Sequence, residues 1–375
     1  MVRVVVAGGS LGGLTAALWL RDAGCDVDVC ERSRTPLQGQ GAGIVLNPAT
    51  VRWFVERTGS GLAGIGLPTP RVRYLGADGG VTAELPHTYR VTSYDTLYRN
   101  LLTAFGRECY HLGEEVASVP DGCDLLVWAD GIRSTGRARL VPGAERRYAG
   151  YYAWRGTVSP ATLSRPTAAV LDDAITYCVL PHGHFLAYPI PTTAAPVLNW
   201  LWYRNVAAGA ELAVLLTDRT GVRREVSVPP GAVADGPLAG LRAGAAALPP
   251  PAAEAILATA EPFLQPVFDI EVPRMAFGGE CLIGDAAFVA RPHAAAGSAK
   301  AAEDGYRLGV AMRACGGDVA AALARWEPPQ LALGRAVLAR TRAAGERSQF
   351  SGTWRAGDPL PYGLHAVGDS MMPVT

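Results

Sequence analysis

The chain opens with Val2-Arg3-Val4-Val5-Val6, a β-branched run with a single polar side chain, the pattern of a strand buried on both faces. It breaks at Gly8-Gly9-Ser10-Leu11-Gly12-Gly13. Residues 14–23 then place Leu14, Ala17, Leu18 and Trp19 at helical spacing and stop at Gly24, a natural left-handed cap. A second apolar run, Val27-Asp28-Val29-Cys30, ends on Glu31. Strand, glycine turn, helix, strand and terminal acid make a mononucleotide-binding βαβ pattern. Glycines let the backbone approach a pyrophosphate whose charge rests on the helix N-terminus, and the acid can accept hydrogen bonds from ribose hydroxyls.

Further along, the two periods alternate. A Gly-, Gln- and Pro-rich loop over residues 33–43 leads to Ile44-Val45-Leu46 and a helix predicted over 49–57. Residues 71–90 alternate about Asp78-Gly79-Gly80 and predict a hairpin. Residues 93–105 return to helical spacing, with Ser93 or Asp95 as the cap. A short connection, 115–124, leads to the buried strand Leu125-Leu126-Val127-Trp128 and then to Ala129-Asp130-Gly131. From 151 to 203 the chain is strand-like and aromatic, with Tyr151, Tyr177, Phe185, Tyr188, Trp200 and Tyr203 along it. The Ala/Pro/Gly-rich stretch 231–260 predicts two helices on a loosely held segment. Leu282-Ile283 is one more short strand, stopping at Gly284-Asp285. Helices are expected over 299–314 and 319–342, and 351–375 reads as an irregular tail.

Composition narrows the class. With 375 residues, 49% hydrophobic and 18% charged, the chain is long enough for two domains and too apolar to be disordered. Formal charge is zero and there is no basic block, which argues against nucleic acid as a partner. Lys300 is the sole lysine. Seven scattered cysteines, with no CxxC, read as small buried residues in a reducing compartment. The chain enters its first strand at once and has no apolar run of membrane-spanning length, so no signal peptide, no membrane association and a cytoplasmic setting are expected.

Three strand ends carry a turn and an acid: the glycine turn with Glu31, Asp130-Gly131 and Gly284-Asp285. Singly, each reads as an ordinary turn or cap. In one parallel sheet all three would face the same crevice. Together they resemble the single-component FAD-dependent aromatic hydroxylases, the group of p-hydroxybenzoate and salicylate hydroxylases, over nearly the whole chain. The turn matches at Gly8 and Gly13; Ala129-Asp130-Gly131-Ile132-Arg133-Ser134 matches the second motif; Gly284-Asp285-Ala286-Ala287, with Pro292, Gly297 and Glu303-Asp304, matches the third. Trp154-Arg155-Gly156 looks like the opening of the substrate domain in the salicylate- and pyridine-hydroxylase branch. Ala187-Tyr188-Pro189-Ile190-Pro191 and residues 291–297 are similar to the pyridine hydroxylases.

The resemblance implies an α/β chain: a Rossmann-like FAD-binding domain (1–70, 92–150 and 270–330), an inserted, mainly β substrate domain (71–91 and 151–269) and a C-terminal helix and tail (331–375). It implies FAD held by Gly8, Ser10, Leu11, Gly13, Glu31, Arg32, Asp130, Gly284, Asp285, Pro292, Ala295, Ala296 and Gly297. Glu31-Arg32 would sit at the adenosine ribose and pyrophosphate, and Asp285 at the ribityl chain. It further implies that NAD(P)H reduces the flavin, that O₂ adds to give a C4a-hydroperoxide, and that a small aromatic or N-heteroaromatic ring is hydroxylated. With no second GxGxxG, NAD(P)H is expected to visit transiently, and a homodimer is compatible with the pattern.

His293, beside Pro292 in the flavin loop, is the leading proton-handling or positioning candidate. Tyr188 is expected to line the substrate pocket, and Arg155 to meet an anionic substrate or a structural partner. His182 and His184 share a strand face, but no third ligand is near and no metal is expected. Three departures stand out. Ser10 replaces the second fingerprint glycine, Trp128 places a large ring near the ligand edge, and Tyr94 stands where many members carry Arg. The 115–124 link is also shorter than the family's strand-rich insert. Two other readings are a tailoring oxidase of a larger natural product and a catalytically silent nucleotide-binding regulator.

Overall fold

The β-branched run after Met1 becomes the middle of a parallel sheet. In the computed structural model, which describes residues 1–37, 43–59 and 62–371, the strands are β1 (Arg3–Ala7), β2 (Asp26–Glu31), β3 (Gly43–Val45), β4 (Leu67–Leu75), β5 (Val81–Ser93), β6 (Tyr110–Leu112) and β7 (Leu125–Trp128). They continue as β8 (Arg147–Val158), β9 (Ala174–Leu180), β10 (Gly183–Ile190), β11 (Val197–Asn205), β12 (Phe263–Asp269), β13 (Ala276–Phe277) and β14 (Glu280–Leu282). Residues 38–42 of the predicted loop and 372–375 of the predicted tail lie outside the described residues.

The first sheet runs β13-β14-β7-β1-β2-β6, parallel except for the β13 edge. Val4, Val5 and Val6 are buried at its centre, with strands on both sides and helices over the faces. The opening helix (Leu11–Asp22) lies directly on the Gly297–Ala314 helix. A Cβ at Gly305 would stand 2.6 Å from Ala16 Cα, and one at Gly309 would stand 2.7 Å from the Trp19 carbonyl. Only glycine allows that approach.

The second sheet is mixed, in the order β12-β8-β11-β10-β9-β4-β5-β3. The predicted hairpin is its β4–β5 pair, and residues 43–45 and 67–70 also join it. Period-two alternation gives it two apolar faces. One, with Phe185, Ala187, Trp200 and Trp202, is covered by the helices Arg165–Leu171, Asp235–Ala245 and Pro250–Leu257. The other carries Tyr151, Tyr177, Leu186, Tyr188 and Tyr203, and meets Trp354, Leu360 and Tyr362 of the tail.

Two expectations are corrected by packing. The helical segment after residue 231 is not loosely held, because Leu241, Ala245, Ala252, Ala255 and Ile256 are core residues. Trp128 does not reach the ligand edge. Its ring lies beneath the Thr135–Leu140 helix, where a Cβ at Gly136 would come within 2.2 Å of it, and its Nε1 donates to Glu280 at 2.9 Å. Ser93, not Asp95, caps the Tyr94–Phe105 helix, its Oγ accepting from Thr96 N at 3.0 Å. Between Leu112 and Leu125 there is no strand, in line with the short link. No helix among the described residues is long and apolar enough to cross a membrane.

Candidate functional site

The glycine turn is shaped by backbone lying on backbone. Gly8 has φ +108°, and a Cβ there would lie 2.4 Å from the Ala129 carbonyl; at Gly13 it would lie 1.9 Å from the Gly8 carbonyl. First and second motifs are therefore pressed together at the ends of β1 and β7. Ser10 occupies the N-cap position of the opening helix, but its Oγ bonds the Tyr94 hydroxyl at 2.7 Å instead of capping. The amides of Leu11, Gly12 and Gly13 are thus left for an anion. Burial pushes the Tyr94 phenol up to about 12, so it stays neutral. Glu31 accepts from Gly9 N at 2.9 Å and Ser33 N at 2.8 Å, tying the turn to the end of β2. A carboxylate has about four acceptor sites, so two of them remain for ribose hydroxyls. Arg32 beside it is exposed.

Asp130 Oδ2 accepts from Thr135 N (2.7 Å) and Gly136 N (3.3 Å), while its Oδ1 is buried with no protein partner. Burial raises its pKa, partly offset by these hydrogen bonds. Asp285 is accessible to solvent, yet enclosing protein pushes its carboxyl up to about 6 against the pull of the Arg137 charge. An accessible carboxylate so hemmed in faces an internal cleft. Gly284 N is held at 2.9 Å by Asp304, whose other oxygen takes Lys300 Nζ at 2.5 Å; both side chains are buried. Glu303, fully buried, pairs with Arg52 (2.9 Å) and Arg307 (2.7 Å). After Pro292 the chain turns through Ala295, a non-glycine residue at φ 51°, and Ala296 leads into the Gly297–Ala314 helix with no side-chain cap. Two uncapped helix starts, an orphaned Asp130 oxygen and a cleft-facing carboxylate, all at one edge of a parallel sheet, fit a dinucleotide such as FAD.

Next to the third motif is a cavity of about 80 Å³, lined by Pro292 and His293, by Tyr177, His184 and Tyr203 of the second sheet, and by Trp354 and Tyr362 of the tail. Ala344, Arg347 and Ser348, where the long helix (Val319–Gly345) widens into a π turn, also line it, as do Leu186 and the tail's Pro359, Leu360 and Pro361. His184 and Tyr203 rings lie 4.6 Å apart, and His184 and His293 rings 5.6 Å apart. Tyr177 and Tyr362 hydroxyls are 2.5 Å apart. Burial drives His184 well below the usual histidine range and His293 down to about 3, the latter helped by the Arg291 charge. Both rings are neutral at working pH.

Of the three sequence candidates for chemistry, only His293 reaches this cavity. Tyr188 shares a strand face with His184, but four residues at ~3.3 Å each carry it roughly 13 Å along β10. There it packs against Gly43, where a Cβ would come within 2.5 Å of its ring. Arg155 Nη1 donates to Gln265 at 2.8 Å and its guanidinium lies over Phe263; no carboxylate among the described residues pairs with it. His182 and His184 do not act together, since His182 is exposed in the turn before β10 and His184 is buried. Among the described residues no cluster of His, Cys, Asp and Glu could hold a metal. Sequence reading passed over Tyr151, Trp354 and Tyr362 as site residues; only the strand alternation at 151 and 203 hints at a shared face.

Comparison with known proteins agrees with the geometry. A model of the FAD binding domain-like family matches residues 148–269, the β8–β12 part of the second sheet. 2,6-Dihydroxypyridine 3-monooxygenase of Paenarthrobacter nicotinovorans is 38% identical over 387 residues, covering 98% of this chain and 97% of that protein. The solved structure of 2,6-dihydroxypyridine-3-hydroxylase from Arthrobacter nicotinovorans superimposes with a TM-score of 0.91, covering 97% of each chain at 38% identity. Salicylate hydroxylase of Pseudomonas putida is 28% identical, covering 82% of this chain and 76% of that enzyme.

Proposed function

The chain belongs to the single-component FAD-dependent aromatic hydroxylases, which use NAD(P)H and O₂, and from that premise we propose that its substrate is a small hydroxylated N-heteroaromatic ring of the dihydroxypyridine type. The observation that carries this is the cavity beside Pro292. A water needs ~10–15 Å³ of such space, so about 80 Å³ offers roughly six water-sized positions, the extent of one substituted six-membered ring. A multi-ring natural product is disfavoured on the same ground.

In this reading Gly8, Ser10, Leu11 and Gly13 hold the pyrophosphate, Glu31 and Arg32 the adenosine side, and Gly284 and Asp285 the ribityl chain. Asp130 supports the turn, and the loop from Pro292 through Ala295 and Ala296 to Gly297 lies along the ring system. Bound FAD supplies the redox chemistry that activates oxygen. The chain's own part is positional. Tyr177, Tyr203 and Trp354 wall the space a planar substrate would take, the tail residues Leu360 and Tyr362 exclude water, and His293 fixes one edge of the ring. Neither Tyr188 nor Arg155 is at that edge.

The test is FAD-reconstituted protein assayed for NAD(P)H oxidation with 2,6-dihydroxypyridine, phenol and salicylate in parallel. Stimulation by the hydroxypyridine, with a hydroxylated product in proportion to NAD(P)H consumed, is the expected result. Stimulation by salicylate alone, or by none of the three, overturns the substrate class.

A further inference from the structure

A four-residue chain behind His293 decides where its proton sits. Asp269 anchors Arg291 through Nη2 (2.9 Å) and Nε (3.1 Å). The Arg291 guanidinium lies beside Tyr151, 5.7 Å from its ring centroid. A positive charge there attracts the lone pairs of Tyr151 Oη and turns its hydrogen away, toward the other side. His293 Nε2 is 2.7 Å away and takes it. Gly345 leaves the space for this junction: a Cβ there would lie 2.8 Å from Tyr151 Oη, 3.0 Å from Arg291 Nη1 and 3.2 Å from His293 Nε2. With Nε2 an acceptor, the single proton of a neutral imidazole must be on Nδ1.

Nδ1 makes no hydrogen bond among the described residues, and His293 lines the cavity. The other groups around it are His184, kept neutral by burial, the phenols of Tyr177, Tyr203 and Tyr362, all pushed upward by burial, and Arg347, which is paired with Asp358 at 2.6 Å. Among the described residues no Asp or Glu lines the cavity. It therefore offers hydrogen-bond donors and lacks a carboxylate to take a proton.

We propose that His293 is a hydrogen-bond donor and not a base: its Nδ1–H, set by the Asp269–Arg291–Tyr151 chain, selects substrates that present an ionised hydroxyl or a ring carbonyl oxygen, the anion or keto form of a hydroxypyridine. The proposal deepens the function given above and rests on it for the identity of the ring. Tyr151 and Arg291 are positioning residues, acting through His293. An oxygen held as an anion donates electron density into the ring, as attack on an electrophilic oxygen requires.

The first measurement is ¹⁵N NMR of histidine-labelled, FAD-loaded protein, whose six histidines make assignment through His293→Gln direct. His293 should show the neutral Nδ1–H tautomer and hold it from about pH 5 to about pH 8, where an ordinary histidine titrates near 6.5. Tyr151→Phe, which keeps the ring and removes the proton, should mix in the Nε2–H form. An Nε2–H signal in the unmodified protein, or titration near 6.5, overturns the proposal whatever the variant does. The second measurement is single-turnover hydroxylation of 2,6-dihydroxypyridine. His293→Asn puts an amide N–H near the Nδ1 position and should stay within about fivefold, while His293→Ala should lose on the order of tenfold or more. Asn as slow as Ala, with substrate still bound, identifies a base and overturns the donor role. If the unmodified protein shows the Nδ1–H tautomer but does not hydroxylate 2,6-dihydroxypyridine, the substrate reading falls and the donor assignment stands.

Discussion

Asp304 accepts the amide of Gly284 at 2.9 Å, one residue before the Asp285 carboxylate that looks into the cleft. With its second oxygen on Lys300, Asp304 fixes the third motif from beneath and neutralises a buried ammonium. Replacing it with Ala leaves Lys300 buried and unpaired, a change that typically costs about 3–5 kcal/mol. Asp304→Ala should therefore lower the denaturant midpoint sharply and purify with little FAD. Asp304→Asn should fall between, since an amide oxygen can still accept from Gly284. An unchanged midpoint in the Ala variant contradicts this.

Asp285 reports on the cofactor through pH. Its carboxyl is pushed up to about 6 by the protein around it, so it loses its charge as pH falls through that value. FAD affinity should weaken in parallel, because only the ionised form makes a charge-assisted hydrogen bond to a hydroxyl. Fluorescence titration of apoprotein should show a step near pH 6 in the unmodified chain and none in Asp285→Asn. Asp285→Ala should raise Kd by on the order of 10- to 100-fold at neutral pH.

Two glycines of the same reading should behave oppositely. Gly13→Ala puts a Cβ 1.9 Å from the Gly8 carbonyl oxygen and 3.3 Å from a Val6 methyl, so backbone has to move. Soluble yield and FAD content should both collapse. Gly297→Ala meets nothing within 4 Å and lies at the start of a helix, so its thermal midpoint should match the parent's. A tolerated Gly13→Ala would show that the turn can open.

Two buried neutral histidines link stability to pH. His184 and His293 have folded pKa values well below 6.5, so between about pH 3 and 6.5 the unfolded chain binds more protons. Stability from this source is full above 6.5 and is lost as pH falls toward the folded values, at up to about 1.4 kcal/mol per pH unit for each proton. Urea midpoints between about pH 4 and 7 should fall more steeply for the parent than for His184→Gln or His293→Gln. Equal slopes would mean that both rings already carry charge in the folded state.

Much of the nucleotide half was legible because its signals are local. The strand, turn, helix and acid of residues 2–31 lie within one short segment, and each follows from side-chain period or glycine backbone freedom. The cavity was not legible in the same way. His293, Tyr151, Tyr177, Tyr203 and Tyr362 come from separate segments and meet only because one sheet face is folded against the tail. Tyr188 illustrates the limit: alternation gives its face correctly, but not its distance along the strand. Trp128 shows another, since the glycine that receives its ring, Gly136, is not marked by any pattern in β7.

The burial of Lys300 has a practical corollary. A chain whose positive charge is otherwise carried on arginine offers amine-reactive reagents no side chain while it stays folded, because that one ammonium is locked against Asp304 with 3% of its surface exposed. Acylation of Lys300 then requires the helical core of the nucleotide half, the Gly297–Ala314 helix against the opening helix, to come apart. Its labelling rate is a clock for that opening event. Crosslinking or surface immobilisation through lysine, by contrast, would capture only molecules that have already lost the cleft.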